Sequence, residues 1–335
     1  MFAPINLKNL TIKTPVFAAP MAGITDWPTR QILRKCAPSA PIVTEMISSH
    51  SLIENRKKIL KTNNNRNFDN YATETLIGAQ IFGADPKIMA IAAKILEQNG
   101  AAWIDINMGC PVPKVATRAG AGAFLMRDHK LAGQIVASVV ASVKIPVSVK
   151  TRLGWDASHL DSAELVRIAA DSGAGFVAIH GRTRAAGYAG TADWRQIAAI
   201  KEQLKNFPII FNGDIKSQND IDTVEKLGAD GAMIGRALLG NPMLLGKLTN
   251  TTHVPAFAGM TNRRFTIHDL ILEHFYLTLE YYGERAGVPL FRKHLAWYSH
   301  AMKNSAEFRV AVNRITAAAE MEKAIREFFG CETEF

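Results

Sequence analysis

An α/β fold is predicted: a TIM (β/α)8 barrel over residues 1–248, a linker or insertion over 249–264, and a small all-helical C-terminal domain over 265–335. Three observations predict it. Eight short β-branched runs recur along the larger part of the chain, helix-patterned segments fill the intervals, and a polar aperiodic stretch then gives way to segments that are helical in pattern throughout. A length of 335 residues suits one barrel of ordinary size with a small appendage.

The runs are PVFAAPM, PIVTEMI, TLIGAQIF, AWIDINM, PVSVKTR, FVAIHGR, PIIFNGD and GAMIGR. Near-continuous apolar runs of this length mark parallel strands buried on both faces, and such strands need crossover helices. PKIMAIAAKILEQNG and SAELVRIAADSGAG supply the helical period, and Gly100, Gly173 and Gly228 stand where helices stop. The stretch from Lys247 to Phe265 is rich in Thr, Asn, Gly and Pro, and its VPAFAGMT resembles translated palindromic repeats inserted in some reading frames. Beyond it, HDLILEHFYLTLEYYGERAG, PLFRKHLAWYSHAM and EFRVAVNRITAAAEMEKAIREFF are helix patterned. Leu295, Tyr298 and Met302 form one apolar face there, while Arg292, Lys293 and Lys303 are candidates to meet a polyanion.

Apolar residues make up 48% of the chain and charged residues 21%, which argues for a large buried core and against disorder. No apolar stretch approaches the length of a bilayer span, and the first one, Pro15 to Ala22, lacks a charged leader, so a cytoplasmic protein is expected. Cys36, Cys110 and Cys331 are odd in number and far apart, which supports neither a disulfide framework nor a zinc site; no metal is expected. The formal charge of +9 is concentrated on the larger part, since residues 1–264 hold 31 Lys and Arg against 20 Asp and Glu, and residues 265–335 hold 8 against 10. A polyanionic partner fits that distribution, with the densest basic cluster at Glu54 to Arg66.

A barrel of this kind works at the C-terminal ends of its strands. Those ends carry Met21, Glu45, Gln80, Asn107 with Cys110, Lys150 with Arg152, His180 with Arg182, Asn212 with Asp214, and Gly235 with Arg236. Amide, ammonium, imidazole and guanidinium groups converging on one mouth indicate a ligand site. Glycines at the last two exits, in IIFNGDI and MIGRALLG, place backbone N–H groups where a phosphate can be held. RAGAGAFL, by contrast, has Leu where the dinucleotide fingerprint needs its third glycine, and no strand precedes it. Within DINMGCPVPKV, a lone thiol lies between a glycine and a proline; packing residue, nucleophile and proton donor all remain open for it from the residues alone.

APMAGITD, NMGCPVPKV, VKTRLGWD, IHGRTR, NGDI and IGRALLGNP, in this order and spacing, resemble the tRNA-dihydrouridine synthases, the bacterial B-type subgroup most of all. FRKHLAWY in the helical tail extends the resemblance over nearly the whole chain. The resemblance implies an FMN-dependent enzyme that reduces the C5–C6 double bond of selected uridines in the tRNA D-loop, with NADPH recharging the flavin and the helical domain binding tRNA. It places Pro20, Met21 and Ala22 against the flavin, Gln80 and Lys150 on its polar ring edge, His180 in contact with it, and Asn212, Gly213, Asp214, Gly235 and Arg236 at its phosphate end. Asn107 and Arg182 are expected to face the nucleotide, and Arg56, Lys57, Lys58, Lys61 and Arg118 to track the RNA backbone. Hydride delivered to C6 leaves C5 in need of a proton, so Cys110 is expected to act as a general acid, because a thiol of ordinary pKa stays protonated at neutral pH. Two alternatives are another FMN barrel reducing a free pyrimidine or an enone, and a tRNA-binding protein without chemistry; the basic barrel part and the helical tail weigh against the first, and retention of Cys110, Lys150 and His180 against the second.

Overall fold

A computed structural model describes residues 2–54, 71–113, 115, 120–250 and 266–330. The basic cluster beyond Glu54, Arg118, most of the expected linker and Cys331 lie outside these residues.

Strands β1 (Ile5–Leu7) and β2 (Leu10–Ile12) form an antiparallel hairpin. The ring follows: β3 (Val16–Ala18), β4 (Ile42–Val43), the short flanking β5 (Ile47–Ser48), β6 (Ile77–Phe82), β7 (Trp103–Asn107), β8 (Val147–Arg152), β9 (Phe176–His180), β10 (Ile209–Asn212) and β11 (Gly231–Ile234). From β6 to β11 each strand pairs in parallel with the next, β11 pairs with β3, β3 with β4 and β4 with β6, so eight strands close on themselves, with β5 paired to β6 beside the ring. All eight expected runs supply one strand of this barrel. Helices α1 (Trp27–Cys36), α2 (Pro86–Gln98), α3 (His129–Ser142), α4 (Ser162–Asp171), α5 (Trp194–Gln203), α6 (Gln218–Lys226) and α7 (Met243–Leu248) lie between or after the strands. Gly100, Gly173 and Gly228 end α2, α4 and α6 at φ of 91°, 94° and 88°, a left-handed backbone that glycine adopts without strain.

The chain divides into two compact units, Met1–Thr25 with Ser39–Gly235, and Asp26–Pro38 with Arg236–Phe335. In the first, Ile5 and Ile12 of the hairpin pack with Phe17, Trp103 and Phe176. Trp103 and Phe176 open their strands, so this aromatic cluster seals the barrel near the strand starts and leaves the exits for polar groups.

In the second unit, α1 packs with α8 (Ile267–Tyr282), α9 (Glu284–Tyr298), α10 (Ser305–Val312) and α11 (Ala318–Phe329). Gly283, at φ 73°, separates α8 from α9, and the last expected helix is split, with a break between Val312 and Ala318 that lets Phe328 stack on Phe308 at 4.0 Å. Leu295 and Tyr298 are buried and Met302 packs against their cluster, so that stripe is core; Arg292 donates to the Ile315 carbonyl at 2.6 Å.

Polar contacts run through this core. His274 meets the Thr29 hydroxyl at 3.3 Å and the Tyr298 hydroxyl at 3.0 Å, and its ring lies 4.5 Å from that of His294. Burial, with the Lys293 charge nearby, lowers His274 to about 3 and His294 well below its ordinary value. Between pH 3 and 6.5 the unfolded chain therefore binds a proton at His274 that the folded one refuses, so stability falls as pH drops below 6.5, by about 1.4 kcal/mol per pH unit for that histidine, and His294 acts in the same direction. The urea midpoint is expected to fall steeply between pH 6.5 and 4.5, with His294→Gln making the slope shallower; a flat profile contradicts this reading.

Candidate active site

Strand register assembles the polar interior. Gln80, Asp105 and Ser148 are successive cross-strand neighbours on β6, β7 and β8, and on the same strands Asn107 pairs with Lys150. Arg152 pairs with His180, and His180 with Asn212. Residues far apart in sequence thus come onto neighbouring rungs at one end of the barrel.

Asp105 is the buried anchor. It accepts from Gln80 Nε2 at 2.6 Å and from Ser148 Oγ at 2.5 Å. Burial raises its carboxyl, against the pull of those two hydrogen bonds and of the Lys150 charge. Gln80 Oε1 in turn accepts from Asn107 Nδ2 at 2.8 Å. Asn107 Oδ1 then receives the backbone N–H groups of Gly109 and Cys110, at 3.2 and 2.9 Å. A chain of hydrogen bonds therefore runs from the barrel interior to the turn that carries the thiol. Asn107 is expected from the motif to face a nucleotide; its amide here also fixes the Cys110 turn.

Cys110 is half-buried and unbridged. Burial pushes its thiol above the ordinary range, opposed in part by a hydrogen bond from the Val112 backbone and by the Arg152 charge. Gly109 beside it lies against the Thr151 backbone, where a Cβ would approach to 3.2 Å. Arg152 donates from Nε to the Gly109 carbonyl at 2.9 Å and from a terminal nitrogen to the carbonyls of Thr183 and Gly187. The guanidinium whose charge acts on the thiol thus ties its turn to the loop after β9.

Lys150 is half-buried, and its Nζ donates to Asn212 Oδ1 at 3.0 Å. Asn212 passes the contact on, donating to the Met233 carbonyl at 2.7 Å. Burial, then the Arg152 charge, bring the ammonium down to about 8, with Asp105 partly offsetting them. The sequence suggests Glu45 or Asp105 as ion-pair partners for Lys150, but Glu45 accepts from the Gly23 N–H at 2.8 Å and Asp105 is taken by Gln80 and Ser148. Among the described residues, Asn212 is the one hydrogen-bond partner of a cation with three protons to donate.

At the exits of β9 and β10, Arg182 pairs with Asp214 through both terminal nitrogens, at 3.0 and 2.6 Å, and also donates to the carbonyls of Ala189 and Gly190. Asp214 further accepts from the Ala192 N–H. This pair is buried on the arginine side and holds the loop after β9 against the exit of β10. Gly213 has φ 109°, and a Cβ there would approach the His180 ring to 3.3 Å, so glycine is required on both counts. Met21 follows β3 in a turn closed by Thr25, between the half-buried Pro20 and the exposed Ala22; a Cβ on Gly235 would meet Met21 Sδ at 3.8 Å. Arg236 falls in the second unit.

The sequence suggests Asp105 only as a possible rim partner, shows Trp155 only as part of VKTRLGWD, and gives no sign of Ser148 or Tyr188. Tyr188 is 60% exposed, 6.2 Å from the His180 ring and 5.6 Å from the Arg152 guanidinium. The signal for Asp105 and Ser148 is a polar residue at every second position of a strand otherwise buried on both faces. Among the described residues, no three His, Cys, Asp or Glu side chains gather as metal ligands, and no helix is long and apolar enough to cross a membrane.

Residues 17–331 match the family model described as dihydrouridine synthase (Dus). A probable tRNA-dihydrouridine synthase of Rickettsia bellii is 38% identical over 327 residues, spanning 97% of this chain and 98% of its own length. The tRNA-dihydrouridine synthase B of Xanthomonas campestris pv. campestris is 37% identical over 320 residues, spanning 95% and 94%. Among solved structures, a mandelate oxidase variant bound to 4-Br-2-hydroxy-methylphenylacetate superposes with a TM-score of 0.50 at 20% identity over 74% of this chain and 75% of its own, a likeness of barrel fold. With the match to the family model running over nearly its whole length, the chain belongs to the dihydrouridine synthase family.

Proposed function

We propose that this chain reduces the C5–C6 double bond of a uridine in the tRNA D-loop, giving 5,6-dihydrouridine, with FMN as its prosthetic group and NADPH as the reductant, in the cytoplasm. The observation that carries the reading is a half-buried thiol on a turn hydrogen-bonded into the barrel through Asn107, the cross-strand partner of Lys150. The residues fit a flavin on the chemistry of the donor set: a desolvated ammonium with one hydrogen-bond partner among the described residues accommodates an anionic ring edge.

Bound FMN supplies the hydride that uracil C6 receives. Cys110 holds the proton that C5 takes, so the double bond gains two hydrogens and NADPH is oxidised to NADP⁺ for each uridine reduced. Asn107 sets the Cys110 backbone, and Arg152 keeps the turn against the loop after β9. Lys150 and Gln80 hold the ring edge, Pro20, Met21, Ala22 and His180 border it, and Asn212, Gly213, Asp214, Gly235 and Arg236 hold the phosphate. Arg182 acts through the loop that it fixes with Asp214. Residues 1–248 make up the catalytic part and 265–335 the tRNA-binding part of this reading. The target base must leave its stack to present C6, and the basic residues Arg56, Lys57, Lys58, Lys61 and Arg118 track the backbone that carries it.

The purified protein is expected to be yellow and to bleach when NADPH is added without oxygen, the colour returning when unmodified tRNA follows. A colourless protein that cannot be reconstituted with FMN sinks the reading.

A further inference from the structure

Trp155, on the loop after β8, carries two guanidinium groups against its ring. The Arg184 Cζ lies 4.4 Å from the ring centroid and the Arg127 Cζ 5.1 Å. The three residues come from three loops: Arg127 precedes the Asp128 cap of α3, Trp155 follows β8, and Arg184 follows β9. Backbone bonds fix the last two together, from Arg184 N to the Gly154 carbonyl at 2.8 Å and from Ala185 N to the Trp155 carbonyl at 2.9 Å.

Two like charges held on one ring call for a counter-ion, yet among the described residues neither arginine has a carboxylate partner. The carboxylates nearest in sequence are engaged elsewhere. Asp128 accepts from the Leu131 N–H, Asp156 from Ser158 N and His159, and Asp161 lies 3.7 Å from His129. Arg184 Nε is buried without a hydrogen-bond partner among the described residues, so no acceptor of the chain ties this guanidinium down at that atom. Stacking on an indole holds each guanidinium by its face and leaves its N–H edge as a fork that matches phosphate oxygens.

We infer that Arg127, Trp155 and Arg184 form a clamp for a backbone phosphodiester of the RNA substrate, beside the nucleotide that enters the barrel mouth. The inference rests on the proposed function and adds a site to it. The clamp stands on the loops of β8 and β9, the strands that end at Arg152 and His180. Arg127 is exposed, so the clamp opens outward, toward a polyanion that continues past the mouth rather than toward a dinucleotide enclosed within it.

The test is the affinity of the full-length flavoprotein for an unmodified tRNA transcript across a salt series. Arg127→Gln with Arg184→Gln is expected to weaken binding at least tenfold at low salt and to flatten the log–log salt slope by roughly 0.7 to 0.9 for each phosphate that is no longer neutralised. The KM for NADPH stays within a factor of two. An unchanged slope overturns the clamp, and so does a loss that falls on the KM for NADPH, which would assign these arginines to the dinucleotide's phosphate. Should the double variant fail to fold, Arg127→Gln alone decides, since its side chain is exposed: a flatter slope supports the clamp and an unchanged one overturns it. A wild-type protein that binds no tRNA fails the proposed function itself, whereas tight wild-type binding with an unaltered variant fails the clamp alone.

Discussion

Replacing Cys110 with alanine slows uridine reduction by about 10² to 10⁴, the reach of a general acid, while flavin content and NADPH oxidation change little. The division follows from where the residue stands. Its N–H is held by Asn107 and its carbonyl accepts from Ala123 N at 3.1 Å, so the turn survives loss of the sulfur. Burial raises the thiol's pKa, so it keeps its proton at neutral pH and is a poor nucleophile. Single-turnover reduction of tRNA by the pre-reduced enzyme separates the two half-reactions. Equal loss of flavin and of turnover would mean that Cys110 is a packing residue.

Lys150→Met is expected to stabilise the flavin-free protein at neutral pH while lowering NADPH-dependent turnover by about 10² to 10³, as removal of a preorganised charge does. The ammonium is brought from 10.5 to about 8 by burial and the Arg152 charge together, which corresponds to about 3 kcal/mol against the folded state when the group is protonated. Loss of its bond to Asn212 offsets part of this, by about 1 to 2 kcal/mol. Between pH 8 and 10.5 the unfolded chain holds a proton that the folded chain has released. The wild type therefore gains stability as pH rises through that window, and the advantage of the methionine variant disappears above it. Urea unfolding at pH 7 and again near pH 10 measures both limbs. A variant less stable than wild type at pH 7 would show that Lys150 is held by compensating charge and not strained by burial.

Much of the barrel is legible in the sequence because strands buried on both faces read as short, mainly apolar and β-branched runs, and because glycine marks the left-handed helix stops at 100, 173 and 228. The hairpin at Ile5–Leu7 and Leu10–Ile12 is not, since three residues of alternation are too few to register. The split between Val312 and Ala318 escapes for a related reason: an apolar period survives the break, and aromatic packing of Phe308 on Phe328 decides it. That α1 shares a core with the C-terminal helices is carried by Ile32 and by Thr29 meeting His274, a contact across 245 residues that no local pattern encodes. The site residues lie at strand ends and are found by position. Their wiring depends on register, which alone brings Gln80, Asp105 and Ser148 onto one line and couples Asn107 to the thiol. For Arg182, the sequence shows a cation at a mouth, while the structure shows its donors committed to Asp214 and two carbonyls.

If this chain adds two hydrogens to a uridine of tRNA, the product carries the evidence in its mass. Incubating unmodified tRNA with the flavoprotein and NADPH, then weighing nuclease fragments by mass spectrometry, tests the reaction directly. The expected result is a D-loop fragment heavier by two hydrogen atoms, absent without NADPH and strongly reduced with Cys110→Ala. Unchanged tRNA from a yellow, NADPH-bleachable protein, with a free pyrimidine or an enone reduced in its place, would contradict it.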